Sequence, residues 1–486
     1  MTDLTPRTPR KRPLLWSDAV LDLQDIILTI TDSPVYLVGG IVRDVYLHRP
    51  VKDIDLVVPQ NAIRLAKKLA DALSGDVYIM DADRDVARVF GVLNSETLTI
   101  DIASFRGDTL LEDLTARDFR ANAMAVDMRG DMSQFIDPCG GEISLENRFL
   151  QRCTPDSLQD DPLRVLRAVR QSTQLKLRIE PETLKDVRLY GKQLNTVSPE
   201  RIRDEFYSLL KLDKVAAALR IAMIVDVLPQ IFPGIKVLQK HPAPEPGTGS
   251  LWDYTLLTIE KMHQILLAIS PRRTDETAAA FGLGVMVMQF DRYRSPLNEH
   301  LFQTYANDRP HRPLLLLLVL LHAAQPVDDL NYAETVAEYI KSLRLSSAET
   351  KRLLSVLMDY EYVASIDISS ALEMHRFWYQ VGDAGIDMIL LFMATYLGRM
   401  GAEIRQEEWL EMVEHTHTLL NAWFESQDTI VNPALYVNGN DLMTAFDLEG
   451  GRIIGDLLTL IREAQVEQRV ASSDEALALA ANYLNQ

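Results

Sequence analysis

The chain predicts an α+β protein, with a small mixed sheet and flanking helices over residues 31–140 and helices from there to the C-terminus. Three observations predict it. Short β-branched runs alternate with one stretch of helical spacing between Pro34 and Ser104. The periodicity turns helical from about Asp161, beyond the loop Asp137-Pro-Cys-Gly-Gly141. The length of 486 residues, 47% of them hydrophobic, is enough for several domains with buried cores.

In order, Pro34-Val-Tyr-Leu-Val38 is a short apolar run that ends in Gly39-Gly40, and a helix-like stretch follows to Leu47. Asp53-Ile-Asp-Leu-Val-Val58 alternates at first and is β-branched, which predicts a strand. Apolar residues at helical spacing predict a helix over Ala62 to Leu73. Val77 to Met80, Ala87 to Leu93 and Leu98 to Ala103 read as further strands. Ser198-Pro199 is an N-cap followed by proline at the first helical position. The proline- and glycine-rich stretch from Lys240 to Leu251 is a candidate linker. Ser472-x-x-Glu475 reads as a capping box that opens a last helix.

The longest pure apolar run, Leu314 to Leu321, is far below a membrane-spanning length, so no membrane partner is expected. The N-terminus is basic without an apolar stretch and reads as a tail, not a signal peptide; Arg7, Arg10, Lys11 and Arg12 could touch RNA. The two cysteines, Cys139 and Cys153, match neither a metal motif nor a disulfide framework, and the cytoplasm is the expected compartment. A net charge of -19 argues against indiscriminate coating of nucleic acid. From Leu145 to Val215, however, 14 Lys plus Arg face 11 Asp plus Glu, so a phosphate backbone could be held there.

The chemistry is concentrated in Gly39-Gly-Ile-Val-Arg-Asp44 and Asp53-Ile-Asp55. Alternate strand residues share a face, so Asp53 and Asp55 place two carboxylates side by side. They repel unless a cation sits between them, and magnesium shares oxygen ligands of this kind with substrate phosphates. Glycines at a strand-to-helix turn let backbone N–H groups approach a triphosphate. Hydroxyl attack on an α-phosphorus with loss of pyrophosphate fits this set, with two Mg2+ ions held by Asp53 and Asp55. Asp101, on the strand Thr97 to Ser104, is the candidate third carboxylate.

These residues resemble the first motif of the class II tRNA nucleotidyltransferases and bacterial poly(A) polymerases, of the DNA polymerase β superfamily. Arg117-Asp-Phe-Arg-Ala-Asn-Ala123 resembles that family's Arg-Arg-Asp-Phe-Thr-x-Asn-Ala motif, with Ala116 for the first Arg and Arg120 for Thr. The resemblance implies that Gly39, Gly40, Arg43, Arg117, Asp118 and Asn122 handle the incoming nucleotide. Asp137-Pro-x-Gly-Gly141, Leu145 and Arg152 resemble the flexible-loop region, with Ser144 for its usual Asp. Asp160-Asp-Pro-Leu-Arg164 resembles Glu-Asp-x-x-Arg, and the implied nucleotide-binding set extends over Asp160, Asp161, Arg164 and Arg167. Asp161 and Arg164, three apart, are expected on one helix face. A carboxylate accepts from an amino group and a guanidinium donates to a ring nitrogen or carbonyl, so one Asp–Arg pair could take CTP and ATP and reject UTP and GTP. The competing reading is a plain intrahelical ion pair. Val197-Ser-Pro-Glu-Arg-Ile202 with Glu205 also resembles the family, in a structural role.

Further on, Leu251-Trp-Asp-Tyr-Thr-Leu256 and the run Arg312 to Ala323 resemble the HD-type metal phosphohydrolase domain of many relatives. Tyr254 stands where that domain has His and Ala323 where it has Asp; only His322 survives. The region therefore reads as a scaffold, with His322 a packed core histidine. Val437-Asn-Gly-Asn-Asp-Leu-Met443 and Gly450-Gly-Arg-Ile-Ile-Gly455 resemble the terminal segment of bacterial CCA-adding enzymes.

The implied organisation is an N-terminal tail and first helix at 1–30, a nucleotidyltransferase head at 31–140 and a helical neck for base selection and RNA binding at 141–235. A degenerate HD-like domain at 236–345 and a C-terminal, tRNA-binding helical domain at 346–486 complete it. The implied activity is addition of CMP and AMP from CTP and ATP to the 3′ end of tRNA. Specialised CC-adding, A-adding or poly(A)-adding activity shares the same motifs, and an RNA-binding scaffold with a relic site is the non-enzyme alternative. Intact Asp53, Asp55, Asp161 and Arg164 speak against a relic.

Overall fold

A computed structural model of the chain describes residues 13–51, 53–244, 249–271, 283–323, 332–401 and 404–485. The basic N-terminal residues through Arg12 and the centre of the Lys240–Leu251 stretch lie outside these. The chain forms two compact units: Met1–Glu205 with Ile221–Gln230, and Phe206–Arg220 with Ile231–Gln486.

The first unit is built on a six-stranded mixed sheet. Its strands are β1 (Tyr36–Val38), β2 (Asp53–Val58), β3 (Asp76–Asp81), β4 (Val86–Leu93), β5 (Glu96–Ser104) and β6 (Ala125–Asp127), in the order β3-β4-β5-β2-β1-β6. Only β2 and β5 run parallel; the other neighbours are antiparallel. The parallel register sets Asp55 opposite Asp101. In β2, Ile54, Leu56, Val57 and Val58 are buried while Asp53 is exposed and Asp55 half-buried. That is the alternation the sequence predicts for its first three residues.

Helix α1 (Asp18–Ile30) precedes the sheet, and α2 (Gly40–Tyr46) follows β1 directly. Helix α3 (Ala62–Leu73) buries Leu65, Ala66, Leu69 and Ala70, the apolar stripe that its spacing predicts. Its N-terminus is satisfied from a distance: the Asp85 carboxylate accepts from Ala62 N and Ile63 N at 2.7 and 2.9 Å. Helix α4 (Leu110–Thr115) opens with a capping box between Thr109 and Glu112. Beyond β6 come α5 (Gly141–Glu146), β7 (Phe149–Leu150), α6 (Ser157–Asp160), α7 (Arg164–Leu175), β8 (Arg178–Ile179), α8 (Pro181–Tyr190) and α9 (Pro199–Leu210). The expected helical remainder thus contains a two-residue parallel ladder, β7 with β8, and the second unit holds another, Thr304–Tyr305 with Arg309–Pro310. Each is too short to carry a hydrophobic period, so the sequence gives no sign of it.

Among its described residues the second unit is otherwise built of helices and their connections. The helix Leu251–Ala268 buries Leu251, Trp252, Tyr254, Leu256, Ile259, Met262 and Ile265. His322 ends the leucine-rich helix His311–His322, is buried, and bonds through Nε2 to Tyr360 Oη at 2.7 Å. Burial, aided by Arg399, pushes its pKa down to about 4. It is a packed core histidine beside the Tyr254 ring. The Ser472 cap is present, but Glu475 bonds Ala471 N instead of closing the box on Ser472. Among the described residues no single helix is long and apolar enough to cross a membrane; the helices Ala371–Val381 and Ala384–Met400 reach the length only together, across a 106° bend.

Candidate active site

The turn between β1 and α2 is where the charged groups gather. Gly39 sits at φ 75°, ψ -130°, a conformation essentially reserved for glycine. A Cβ there would stand 2.9 Å from Arg117 Nη1 and 3.6 Å from Asp55 Oδ2. Asp55 and Arg117 therefore both face this turn. Asp55 is mostly enclosed, and its pKa is pushed up to about 6. Burial is the main cause and repulsion from Asp101 and Asp53 adds to it, against the pull of Arg117 and Arg43. Asp53 and Asp101, the latter opposite Asp55 in the parallel register, thus act electrostatically on Asp55.

Asp101 has a partner that the sequence did not reveal. Arg88, across the antiparallel β4–β5 ladder, holds both its oxygens at 2.7 and 2.8 Å. Residues directly opposite on adjacent strands meet side by side, which is the signal that could have found the pair once the register was known.

Arg43 and Arg117 are fixed from behind. Arg43 is buried, forks onto Asp44 at 3.0 and 2.8 Å and donates to Asn122 Oδ1 at 2.5 Å. Arg117 donates twice to Asp113 Oδ2, at 3.1 and 2.9 Å. Asp113 is itself buried on α4 and is a positioning residue that sequence reasoning missed.

Asp118 lies deeper and faces away from solvent. It accepts from Asn122 Nδ2 at 2.8 Å, Arg167 Nε at 2.9 Å and Gln171 Nε2 at 3.1 Å. Burial raises its pKa, but Arg167 and these hydrogen bonds outweigh that and hold the carboxyl well below the usual carboxylate range. Arg167 also pairs with Glu205 at 3.5 Å, and Glu205 takes Arg170 as well. A continuous chain of polar contacts therefore runs from α2 through Asn122 and Asp118 to α7 and α9. Gln171 is its unforeseen member, and Glu205, expected in a structural role, closes it on α9.

One expectation is corrected. Asp161 and Arg164 do not lie on one helix face and do not pair with each other. Asp161 precedes Pro162, which disfavours helical backbone at the residue before it, and Asp161 takes φ -144°, ψ 97°. It separates α6 from α7, and α7 begins only at Arg164. Asp161 Oδ2 instead accepts from Arg201 at 2.7 Å. Arg164 donates to three backbone carbonyls: Ala116 at 2.8 Å, Ser157 at 3.0 Å and Arg117 at 3.2 Å. It thereby ties the start of α7 to the segment that carries Arg117 and Asp118. Asp160 ends α6 and is exposed.

Three family profiles match the chain: the poly A polymerase head domain at residues 35–151, the RNA and SrmB-binding site of polymerase A at 176–238, and tRNA nucleotidyltransferase domain 2 at 327–481. Among curated relatives, a CC-adding tRNA nucleotidyltransferase of Geobacter sulfurreducens is 38% identical over 177 residues, 36% of this chain and 40% of that protein. The Synechocystis sp. CC-adding tRNA nucleotidyltransferase is 26% identical over 456 residues, 93% of this chain and 94% of that protein. Among solved structures, a Thermotoga maritima CCA-adding enzyme complexed with tRNA superposes with a TM-score of 0.57 at 22% identity, over 96% of this chain and 95% of that one. At that identity the likeness speaks for the fold alone. The head-domain match spans the whole Gly39–Asp55–Asp101–Asp118 constellation, and with the other two profiles it places the chain in the family of CCA-adding tRNA nucleotidyltransferases and bacterial poly(A) polymerases.

Proposed function

We propose that this chain is a template-independent nucleotidyltransferase that adds CMP and AMP, from CTP and ATP, to the 3′ end of tRNA, making CCA or part of it. A terminal hydroxyl oxygen bonds to the α-phosphorus, the α–β phosphoanhydride breaks, and pyrophosphate leaves. The observation that carries this reading is the convergence of Asp55 and Arg117 on the Gly39 turn, with Asp53 and Asp101 close enough to raise the Asp55 pKa. A carboxyl raised by burial and by like-charged neighbours is relieved by a divalent cation, so these residues fit Mg2+, with Asp53 and Asp55 as ligands of two ions and Asp101 as a third carboxylate. When bound, the ions stabilise the attacking and leaving oxygens together.

The chain's own residues do the binding and orienting. The Gly39–Gly40 turn, whose Gly39 N–H is held by Met124 O at 3.2 Å, lets the phosphates approach the start of α2 closely, and Arg43 and Arg117 offset their charge. Asn122, held by Arg43 and Asp118, is set to meet the ribose. Arg167 keeps Asp118 ionised and carries that order into α7. Asp161 and Arg164 bracket the α6–α7 turn as reading groups for the base edge; to read it, Asp161 must exchange Arg201 for the amino group of cytosine or adenine, and Arg164 must release at least one of its three backbone carbonyls. Asp160 lies beside them.

A narrower reading has its own support. Both curated relatives described above carry the name CC-adding, which favours a chain that adds the two cytidines and leaves the terminal adenosine to another enzyme. The test is nucleotide addition to tRNA by Asp53→Ala and Asp55→Ala. Addition falls at least about 100-fold in both, while the Kd for tRNA stays within a few-fold of wild type. Substantial residual turnover in either variant would refute the assignment of these ligands.

A further inference from the structure

The second unit holds a cluster that nucleotide addition does not use. His300 on the helix Arg294–Leu301, His311 at the start of His311–His322 and Asp387 on Ala384–Met400 meet in the interior, none more than 4% exposed. His300 Nε2 lies 2.8 Å and His311 Nε2 2.9 Å from the same oxygen, Asp387 Oδ1. The three ligand atoms all fall within 4.8 Å of one another.

Hydrogen bonding alone leaves this arrangement incomplete. Two imidazoles crowd one carboxylate oxygen, while buried Asp387 Oδ2 has no hydrogen-bond partner. The nearest cation, Arg352, stands 3.5 Å from Oδ2 through Nη1, and that nitrogen also lacks a hydrogen bond. Arg352 spends its other nitrogen on Asp383, at 2.5 Å. Buried Asp387 therefore shares its one neighbouring guanidinium with the half-exposed carboxylate of Asp383, and its Oδ2 is left without a hydrogen bond in the interior. Buried polar groups of this kind are expected to be paired or to coordinate a metal.

The far side of each imidazole is also supplied. His311 Nδ1 meets Tyr305 Oη at 2.7 Å, and His300 Nδ1 faces Asp383 Oδ2 at 3.9 Å. Metal-bound histidines characteristically place their other N–H against such acceptors. If each ring moves its proton from Nε2 to Nδ1, both Nε2 lone pairs become free without any net loss of protons.

We propose that His300, His311 and Asp387 form a structural site for one divalent cation of the zinc class. The donor set, two imidazole nitrogens and a carboxylate, suits zinc and its first-row neighbours better than magnesium or calcium. Asp387 Oδ2 is free to complete the coordination. Enclosure of all three side chains makes the site a staple between three helices, not a reaction centre. It is separate from the degenerate HD-like positions, where His322 is occupied by Tyr360 and burial keeps it neutral.

The experiment uses the full chain, purified with its affinity tag removed. Elemental analysis should find about one equivalent of a transition ion, removable by chelator. Metal-free protein should then take up about one equivalent of Co2+, with visible d–d bands, and should melt higher with Zn2+ than without. His311→Gln, shown by circular dichroism to be folded, should lose the bands, whereas His322→Gln and the double variant Asp53→Asn/Asp55→Asn should keep them. Folded wild-type protein that takes up neither Zn2+ nor Co2+ would overturn the proposal. So would Co2+ bands that survive His311→Gln but vanish with the active-site double variant. Because the wild type alone gives a decisive answer, the proposal stays testable even if His311→Gln does not fold.

Discussion

At the scale of single residues, Asp55 makes the most specific prediction. Its carboxyl is raised to about 6 in the folded chain, chiefly by burial. A raised carboxylate favours the protonated folded state, so its contribution to stability is greatest below the unfolded value near 4 and declines as pH rises through about 6. Asp55→Asn removes that penalty. In chelator at pH 7.5 the variant should therefore be more stable than wild type by on the order of 2 kcal/mol, and the gain should disappear near pH 4. Magnesium should raise the melting temperature of wild type but not of the variant. A variant less stable than wild type at pH 7.5 would mean that the carboxylate is better compensated than its surroundings imply.

Arg164 makes a second prediction at this scale. Its guanidinium supports the Ala116–Arg117 backbone, so Arg164→Ala should lower both the rate of addition and the preference for CTP and ATP over UTP and GTP, the preference by about 10-fold or more. Single-nucleotide addition with each of the four NTPs measures it, and an unchanged preference would show that the base is read elsewhere. The sequence made Asp161 and Arg164 visible as candidate base-reading residues, but not their partners. Spacing of three implied a helix face, and Pro162 between them decided otherwise.

At the scale of elements, most strands and helices around the site were legible, because the site sits on regular structure. The Ala62–Leu73 helix shows its stripe in the sequence, and the Asp53–Val58 strand shows enough alternation to place both carboxylates on one face. What was illegible is what depends on register and tertiary neighbours. Arg88 reaches Asp101 only because β4 and β5 align those two residues, and Asp85 caps a helix that begins 23 residues earlier. The Gly39 turn belongs to this scale as well. Gly39→Ala puts a Cβ into a backbone conformation that L-residues avoid and within 2.9 Å of Arg117 Nη1. It should cost roughly 1–3 kcal/mol of stability and should raise the KM for nucleotide, because both Arg117 and the phosphate-facing backbone shift. Thermal unfolding and steady-state kinetics check the two effects; a variant kinetically equal to wild type would remove the turn from the site.

At the scale of the whole molecule, the division of labour is plain in the sequence but only partly so in its detail. The acidic chain with a locally basic stretch over residues 145–215, the strand that carries Asp53 and Asp55 and the helical remainder all follow from composition and period. The interior of the second unit does not. His300, His311 and Asp387 are brought together across 87 residues, and the Arg309–Glu349 pair is equally buried and equally silent in the sequence. Tyr254 and Ala323 motivate the reading of the region around them as scaffold, and His322 is buried and bonded to Tyr360.

The most direct test of the central claim is extension of three tRNA transcripts, ending before CCA, after C and after CC, with each NTP supplied separately and magnesium present. The account predicts CMP addition to the first two, or CMP there and AMP on the third, with UMP and GMP excluded throughout and no addition by Asp55→Ala. Failure to extend any of the three transcripts, or extension that persists in Asp55→Ala, would contradict it.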